Sequence, residues 1–356
     1  MNECFVKSKI SEEKVDNILV SIVIVTYNSK NYLINCLISI LSSQTKSNYE
    51  ILVIDNASKD DTFVNIPPLF PSVIFIKNEA NNGFSYANNQ GIKLAHGDYI
   101  LLLNPDTLII DNTIDLMIDF LEKTPTAGAC SCMVFNADGS LQPSYFGFPT
   151  LLKEFGHLLR IDRSLWLYEK LKDLRIFLQL FSSSLAVMQN KEAAFEVDYL
   201  LGACLMLRKT AIDKVGMLDD KIFMYIEDTE ICYRMKQNGY GVYYVPKGQI
   251  IHYGGKSSGT ADQRMLYEYN RSRLYFYKKC YGKIKTIILK SIIVADMLVN
   301  MFIIFFTNPR KEMAQLQTRY KNEVDSNYQL SFRDKLREKY KSFRLYASII
   351  AMACKS

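Results

Sequence analysis

From residue 19 the chain alternates between nearly continuous apolar runs and stretches whose apolar positions fall three and four apart. LVSIVIVTY (19–27) is β-branched and apolar on both alternating faces, the pattern of a strand buried on each side of a sheet. Asn28, Ser29 and Lys30 interrupt it, and in NYLINCLISILSSQ the residues Leu33, Leu37, Ile40 and Leu41 then recur at helical spacing. The cycle repeats: YEILVIDNAS (49–58), SVIFIKN (72–78) and DYILLLNPD (98–106) read as strands, and NGFSYANNQGIKLA (82–95) as a helix beginning after Gly83. A further helix is expected near 111–123, a hairpin turned by Asp138 and Gly139, a strand and helix over 197–216, a helix opened by Glu227 and Asp228, and a strand pair over 241–253 ending in His252.

Strands and helices alternating at this spacing predict an α/β fold with a mostly parallel central sheet flanked by helices. Ligands of such sheets bind beyond the carboxyl ends of the strands, where Thr26, Asn28, Asp55, Asn56, Asn104 and Asp106 all fall. Residues 1–18 read as a loose lead-in and 19–282 as a catalytic domain, with halves at 19–125 and 126–282 and a helical insertion near 150–195. Residues 283–356 form a basic, amphipathic helical extension.

Charge sharpens this division. The net charge of +6 is the balance of +12 over residues 270–356, with 18 Lys and Arg against 6 Asp and Glu, and −6 over residues 1–269. A basic extension is drawn to an anionic surface. Within it, IILKSIIVADMLVNMFIIFF (287–306) is long enough to span a bilayer, but Lys290 and the central Asp296 oppose that. Lys285, Thr286, Lys290, Asp296 and Asn300 share one side of the helix and leave a wide apolar face, as in a helix lying in the membrane interface. Burial against the catalytic domain or in a homodimer is the alternative. The basic run is not expected to bind nucleic acid. The eight cysteines lack metal-site spacing and mostly sit in apolar runs, and no apolar segment follows the first lysines, so a reducing cytoplasm is expected.

The strand-end residues suit particular chemistry. Asp55, acceptor-only when ionised, matches the ring N–H of a pyrimidine, and Thr26 and Asn28 would flank the same nucleoside. Asp106 emerges from an apolar strand as a carboxylate able to hold a hard divalent cation through oxygen, and His252 as a second ligand would tilt the choice from Mg2+ towards Mn2+. Glu227 and Asp228 open a helix whose dipole favours carboxylates; one of them would serve as a general base, or both would merely stabilise the first turn. YNSKNY after the first strand, in place of a G-x-G-x-x-G turn, excludes the usual dinucleotide cradle.

SIVIVTYNS (21–29), VIDNASKD (53–60), NNGFSYANNQGI (81–92), YILLLNPD (99–106), GACLMLRK and FMYIEDTEICYRMKQNGY together resemble glycosyltransferase family two, in its rhamnosyltransferase-like branch, over roughly residues 18–282. The resemblance implies the GT-A fold, a divalent cation, and an inverting displacement from a nucleotide-sugar donor. It places the base-reading aspartate on Asp55, and the metal motif D-x-D on Asn104-Pro105-Asp106, with Asn104 in place of the first carboxylate. It further implies the catalytic base at Asp228, a metal or diphosphate contact at His252, and Asn82 with Gly83 near the nucleotide. The Q-x-x-R-W motif of processive synthases is absent, which implies one sugar added per acceptor. A dTDP-rhamnose donor and a lipid-linked or cell-surface polysaccharide acceptor, met at the inner face of the cell membrane, are the expected substrates. A UDP-hexose donor, or an inactive nucleotide-sugar-binding scaffold, stands as the alternative.

Overall fold

The computed structural model describes residues 4–6, 19–159, 193–254, 262–306 and 332–355. Most of the insertion read near 150–195, including Trp166, lies outside these residues, as does most of the lead-in. The described residues form two compact units, one drawn from Met1–Pro149 and Arg175–Thr260, the other from Thr150–Leu174 and Ala261–Ser356.

The first unit is built on strands β1 (Cys4–Val6), β2 (Val20–Thr26), β3 (Tyr49–Asp55), β4 (Ile74–Lys77), β5 (Tyr99–Leu103), β6 (Thr107–Ile109) and β7 (Ala127–Phe135). It continues through β8 (Leu141–Gln142), β9 (Tyr145–Phe146), β10 (Phe195–Glu196), β11 (Tyr199–Leu200), β12 (Cys204–Arg208) and β13 (Gly241–His252). Its helices are α1 (Lys30–Leu41), α2 (Thr62–Asn65), α3 (Phe84–Leu94) and α4 (Thr113–Lys123). The second unit contributes α5 (Leu151–Leu158). The first resumes with α6 (Lys209–Val215) and α7 (Glu227–Gln237), and the second ends with α8 (Asp262–Phe276), a π-type turn at Tyr277–Tyr281, α9 (Lys283–Phe306) and α10 (Phe332–Lys355). Asp262–Phe276, inside the span read as catalytic from sequence, therefore belongs to the helical unit.

The main sheet runs β1-β4-β3-β2-β5-β12-β7-β13-β10. The expected parallel pairing holds through β4, β3, β2 and β5, and again between β7 and β13; β12 enters antiparallel between β5 and β7. Every residue of β2 is buried, and its period-two alternation feeds two cores. Val20, Ile22 and Ile24 face Leu33, Leu37 and Ile40 of α1, whereas Val23 and Val25 face Ala87 and Ile92 of α3. Helices on both faces thus leave the strand ends as the accessible edge.

The region 241–253 is one twelve-residue strand and not a pair. Its register against β7 slips between Val245 and Gln249, where Pro246 cannot donate to the ladder, so the strand bulges and carries on. Beyond the bulge it pairs with β6, setting His252 opposite Thr107. That register brings the last residue of β13 beside Asp106.

Candidate active site

At one end of the site, the tips of β2 and β3 lie in register, with Thr26 opposite Asp55. Thr26 is fully buried, its hydroxyl 2.7 Å from Ser29 Oγ, and its carbonyl accepts the Asn56 N–H at 2.8 Å. Asn28 is exposed and left-handed at φ 51°. Its N–H donates to Ser58 Oγ at 2.9 Å and its Oδ1 accepts the Lys59 N–H at 2.7 Å, tying two strand-end loops together. Asp55 is buried; Oδ1 accepts the Ser58 N–H at 3.3 Å, and Oδ2 is buried with no partner. Burial raises this carboxyl above its ordinary pKa, with the Ser58 hydrogen bonds and the Lys77 charge pulling the other way.

A network of amides holds the adjoining loop. Asn56 Nδ2 donates to Asn81 Oδ1 (2.9 Å) and to the Gly83 carbonyl (3.2 Å), while its Oδ1 accepts from Asn78 (3.1 Å). Asn78 and Gln90 exchange two amide hydrogen bonds of 2.8 and 2.9 Å. Gly83 sits at φ 103°, and a Cβ there would meet the Phe223 carbonyl at 2.7 Å, so the start of α3 is open only to glycine. Asn82 beside it is exposed. These loops border a cleft of about 520 Å³ lined by Tyr27, Ala57, Ser58, Lys59, Lys77, Asn78, Glu79, Ala80 and Asn81, within the range of small-ligand sites.

At the second end, Asn104, Pro105 and Asp106 turn the chain from β5 into β6. The Asn104 N–H donates to the Ala203 carbonyl at 2.9 Å and its Nδ2 lies 3.4 Å from His252 Nε2. Asp106 is 1% exposed, and both carboxylate oxygens are buried without a hydrogen bond. His252 Nε2 stands 3.4 Å from Asp106 Oδ1, and its Nδ1 is 2.9 Å from Gln142 Oε1, which orients the ring. A buried carboxylate whose two oxygens have no hydrogen-bond partner, with an imidazole nitrogen 3.4 Å away, fits a hard divalent cation. Among the described residues no group of three or more His, Cys, Asp or Glu gathers to hold a metal, so this chain would supply few ligands and leave the remainder to a bound molecule.

Glu227 and Asp228 arrive on strained backbone: Tyr225 and Ile226 are left-handed at φ 63° and 70°, rare for bulky and β-branched residues. Asp228 Oδ2 accepts the Gly202 N–H at 2.9 Å, and Oδ1 accepts the Thr229 N–H (2.6 Å) and hydroxyl (3.2 Å). Burial raises the Asp228 carboxyl, against the lowering effect of those donors. Glu227 is buried with Oε2 unpartnered, and burial, then the neighbouring Asp228, push it up to about 8. Gly202 donates to Asp228, and the next residue, Ala203, accepts from Asn104, so one short segment holds the Asp228 carboxylate and the backbone two residues before Asp106.

Sequence reasoning missed Gly202, Gln142, Ser58, Asn78, Asn81 and Gln90. Gly202 and Gln142 act from segments whose neighbours are set by folding alone. The amide-rich run NEANNGFSYANNQG was the one local signal for the network.

The model for Glycosyl transferase family 2 matches residues 21–216, and one for Glycosyl transferase family group 2 matches residues 162–307. An N-acetylglucosaminyl-diphospho-decaprenol L-rhamnosyltransferase of Mycobacterium tuberculosis is 28% identical over 271 residues, covering 72% of this chain and 82% of the relative. A UDP-Glc:alpha-D-GlcNAc-diphosphoundecaprenol beta-1,3-glucosyltransferase of Escherichia coli is 39% identical over 105 residues, 29% of this chain and 41% of the relative. Among solved structures, GalNAc-T7 with UDP, GalNAc and Mn2+ matches at a TM-score of 0.56 and 16% identity, over 94% of this chain and 57% of that one. The fold is GT-A, and the chain belongs to glycosyl transferase family 2 as a glycosyltransferase of its rhamnosyltransferase-like branch.

Proposed function

We propose that the protein is an inverting, non-processive glycosyltransferase that moves one sugar, rhamnose from dTDP-rhamnose, onto a lipid-linked saccharide. The observation that carries this reading is the pair of buried carboxylates at one sheet edge, Asp55 and Asp106, whose unpartnered oxygens are costly until a ligand meets them. Asp55 Oδ2 accepts the ring N–H of the pyrimidine, with Thr26, Asn28, Asn56, Asn82 and Gly83 shaping the nucleoside end. Asp106 and His252, with Asn104, would hold Mn2+ or Mg2+, which would supply positive charge to neutralise the diphosphate.

Asp228 takes the proton of the acceptor hydroxyl as that oxygen forms its bond to the anomeric carbon; the bond from this carbon to the diphosphate oxygen breaks on the opposite face, and configuration inverts. Glu227 keeps its proton at neutral pH and so spares Asp228 a second buried charge. The two relatives named above share, in their names, a diphospho-polyprenol acceptor bearing N-acetylglucosamine and differ in the sugar delivered. That supports the acceptor class more than the donor, so a UDP-hexose is the second reading. The apolar, basic C-terminal helices suit a peripheral enzyme at the inner face of the cell membrane, where such an acceptor resides.

Melting of the purified protein with a panel of nucleotide sugars, each with and without Mn2+, tests this. A metal-dependent rise with dTDP-rhamnose, followed by transfer to a short-chain N-acetylglucosaminyl-diphospho-polyprenol, is expected. A rise with a UDP-hexose alone selects the second reading, a rise without transfer favours an inactive scaffold, and no rise with any donor overturns the proposal.

A further inference from the structure

α9 presents the wrong side to solvent for a soluble protein. Thr286, Leu289, Ile293 and Met297, spaced three and four apart, are buried, and α9 packs within its unit against α5, α8 and α10. The half-buried Lys290, Asp296 and Asn300 flank this stripe, and a second, apolar face lies outward. Ile284, Ile287, Leu298, Phe302 and Phe305 are each more than half exposed. A surface helix ordinarily buries its apolar stripe, and a contiguous apolar face left outside marks an interaction site.

The outward arc is chemically uniform. From Ile287 to Phe305 no exposed residue is charged, and the exposed Ser291 donates its hydroxyl to the Ile287 carbonyl at 3.2 Å, leaving no hydrogen-bonding demand. Lys290 and Asp296, which oppose burial in lipid when the helix is read as sequence, are half-buried on the flanks of the packed stripe. At its amino-terminal end the face is ringed by the exposed Lys278, Lys279, Lys283 and Lys285, with the Lys285 amine 4.9 Å from the Tyr281 ring centroid.

The geometry points to an in-plane membrane-docking face: α9 lies along the surface of an anionic bilayer, its outward apolar arc in the acyl layer and the lysine collar against lipid phosphates. This rests on the membrane reading above and adds the face, the depth and the orientation. Spanning is disfavoured because α10 packs along α9 and carries the exposed Lys341 and Arg344 midway, which a crossing α9 would drag into hydrocarbon. A second copy is disfavoured because α9 offers no exposed carboxylate to another copy's lysines, whichever way the two helices run. Phosphates supply that charge.

Flotation of the full chain with vesicles of phosphatidylglycerol and phosphatidylethanolamine, beside vesicles of phosphatidylcholine alone, tests the assignment. Wild type should float with the anionic vesicles and weaken as salt rises. Leu298→Glu with Phe302→Glu should weaken binding about ten-fold or more. Lys283→Gln with Lys285→Gln should cost about five-fold per lysine at low salt. Donor-induced melting shifts should match wild type in both pairs, which separates failure of docking from failure of the enzymatic reading, and the lysine pair stands in should the glutamate pair not fold. Flotation of either pair equal to wild type overturns the assignment. So does a wild type that ignores vesicles, or a glutamate pair that turns a dimer into a monomer with vesicle binding unchanged.

Discussion

Gly202 donates its backbone N–H to Asp228 Oδ2 at 2.9 Å, and a Cβ at Gly202 would lie 3.4 Å from that same oxygen. The carboxylate is therefore gripped by backbone on one oxygen and by Thr229 on the other, with burial raising its pKa and three donors lowering it. Its proton affinity is set by the balance of these opposed effects, and each donor removed should be readable in the pH dependence of turnover.

Asp228→Asn should lower kcat by about 10²- to 10⁴-fold, the usual contribution of a general base, while the donor still raises the melting temperature as in wild type. In wild type kcat/KM should rise with pH through an inflection above the ordinary aspartate value of 3.8, because only the ionised form accepts a proton. Thr229→Val removes the 3.2 Å hydroxyl donor and should move that inflection upward. Near-normal turnover in Asp228→Asn would sink the assignment.

Glu227 links the site to stability. Its pKa rises from 4.5 to about 8 on folding, so between those values the unfolded chain has released a proton that the folded chain retains. Its contribution is fully present below pH 4.5 and is lost as pH climbs to about 8. Glu227→Gln should flatten this slope, gaining several degrees on wild type at pH 8.5 and little or nothing at pH 4.5 in thermal melts. Parallel pH profiles for the two proteins would refute the assignment.

Asp106→Asn removes a buried carboxylate that has no hydrogen-bond donor, so the protein without metal should be as stable as wild type or more so. The same change should abolish the Mn2+-dependent part of donor binding, measured by calorimetry. Titrations of donor and Mn2+ that match wild type would remove Asp106 from the cation site.

Gly83→Ala should destabilise the fold by about 2 kcal/mol or more in denaturant unfolding, since it combines a disfavoured backbone with an overlap on the Phe223 carbonyl. A change below about 0.5 kcal/mol, the scale of ordinary surface substitutions, would show that the loop yields.

These residues also mark where the sequence was legible. β2, β3 and β5 were readable because strands buried on both faces are nearly unbroken apolar runs, and Asp55 and Asp106 because polar residues terminate those runs. The bulge that makes 241–252 one strand depends on register against β7, which no local pattern encodes. Gly202 acts through its N–H, a group that every residue but proline owns, so its role became visible only with Asp228 folded against it. For α9 the sequence yields the amphipathic wheel but not which side packs, because that depends on α5, α8 and α10.

The amide network offers a last test of how the loop lining the cleft is held. Gln90 exchanges two hydrogen bonds with Asn78, which in turn donates to Asn56, and Asn56 grips Asn81 and Gly83 at the rim of the cleft. Gln90→Leu strands one donor and one acceptor of the buried Asn78, at a cost of about 1–3 kcal/mol. Because the loop carrying Asn78 and Asn81 lines the cleft, the donor KM should rise about ten-fold, as expected for loss of roughly 1.4 kcal/mol of donor binding, with kcat little changed. Gln90→Glu, which keeps an acceptor for Asn78 Nδ2, should recover part of the loss. A fall in kcat with KM unaltered would instead place the network's influence on the reacting centre and not on donor binding.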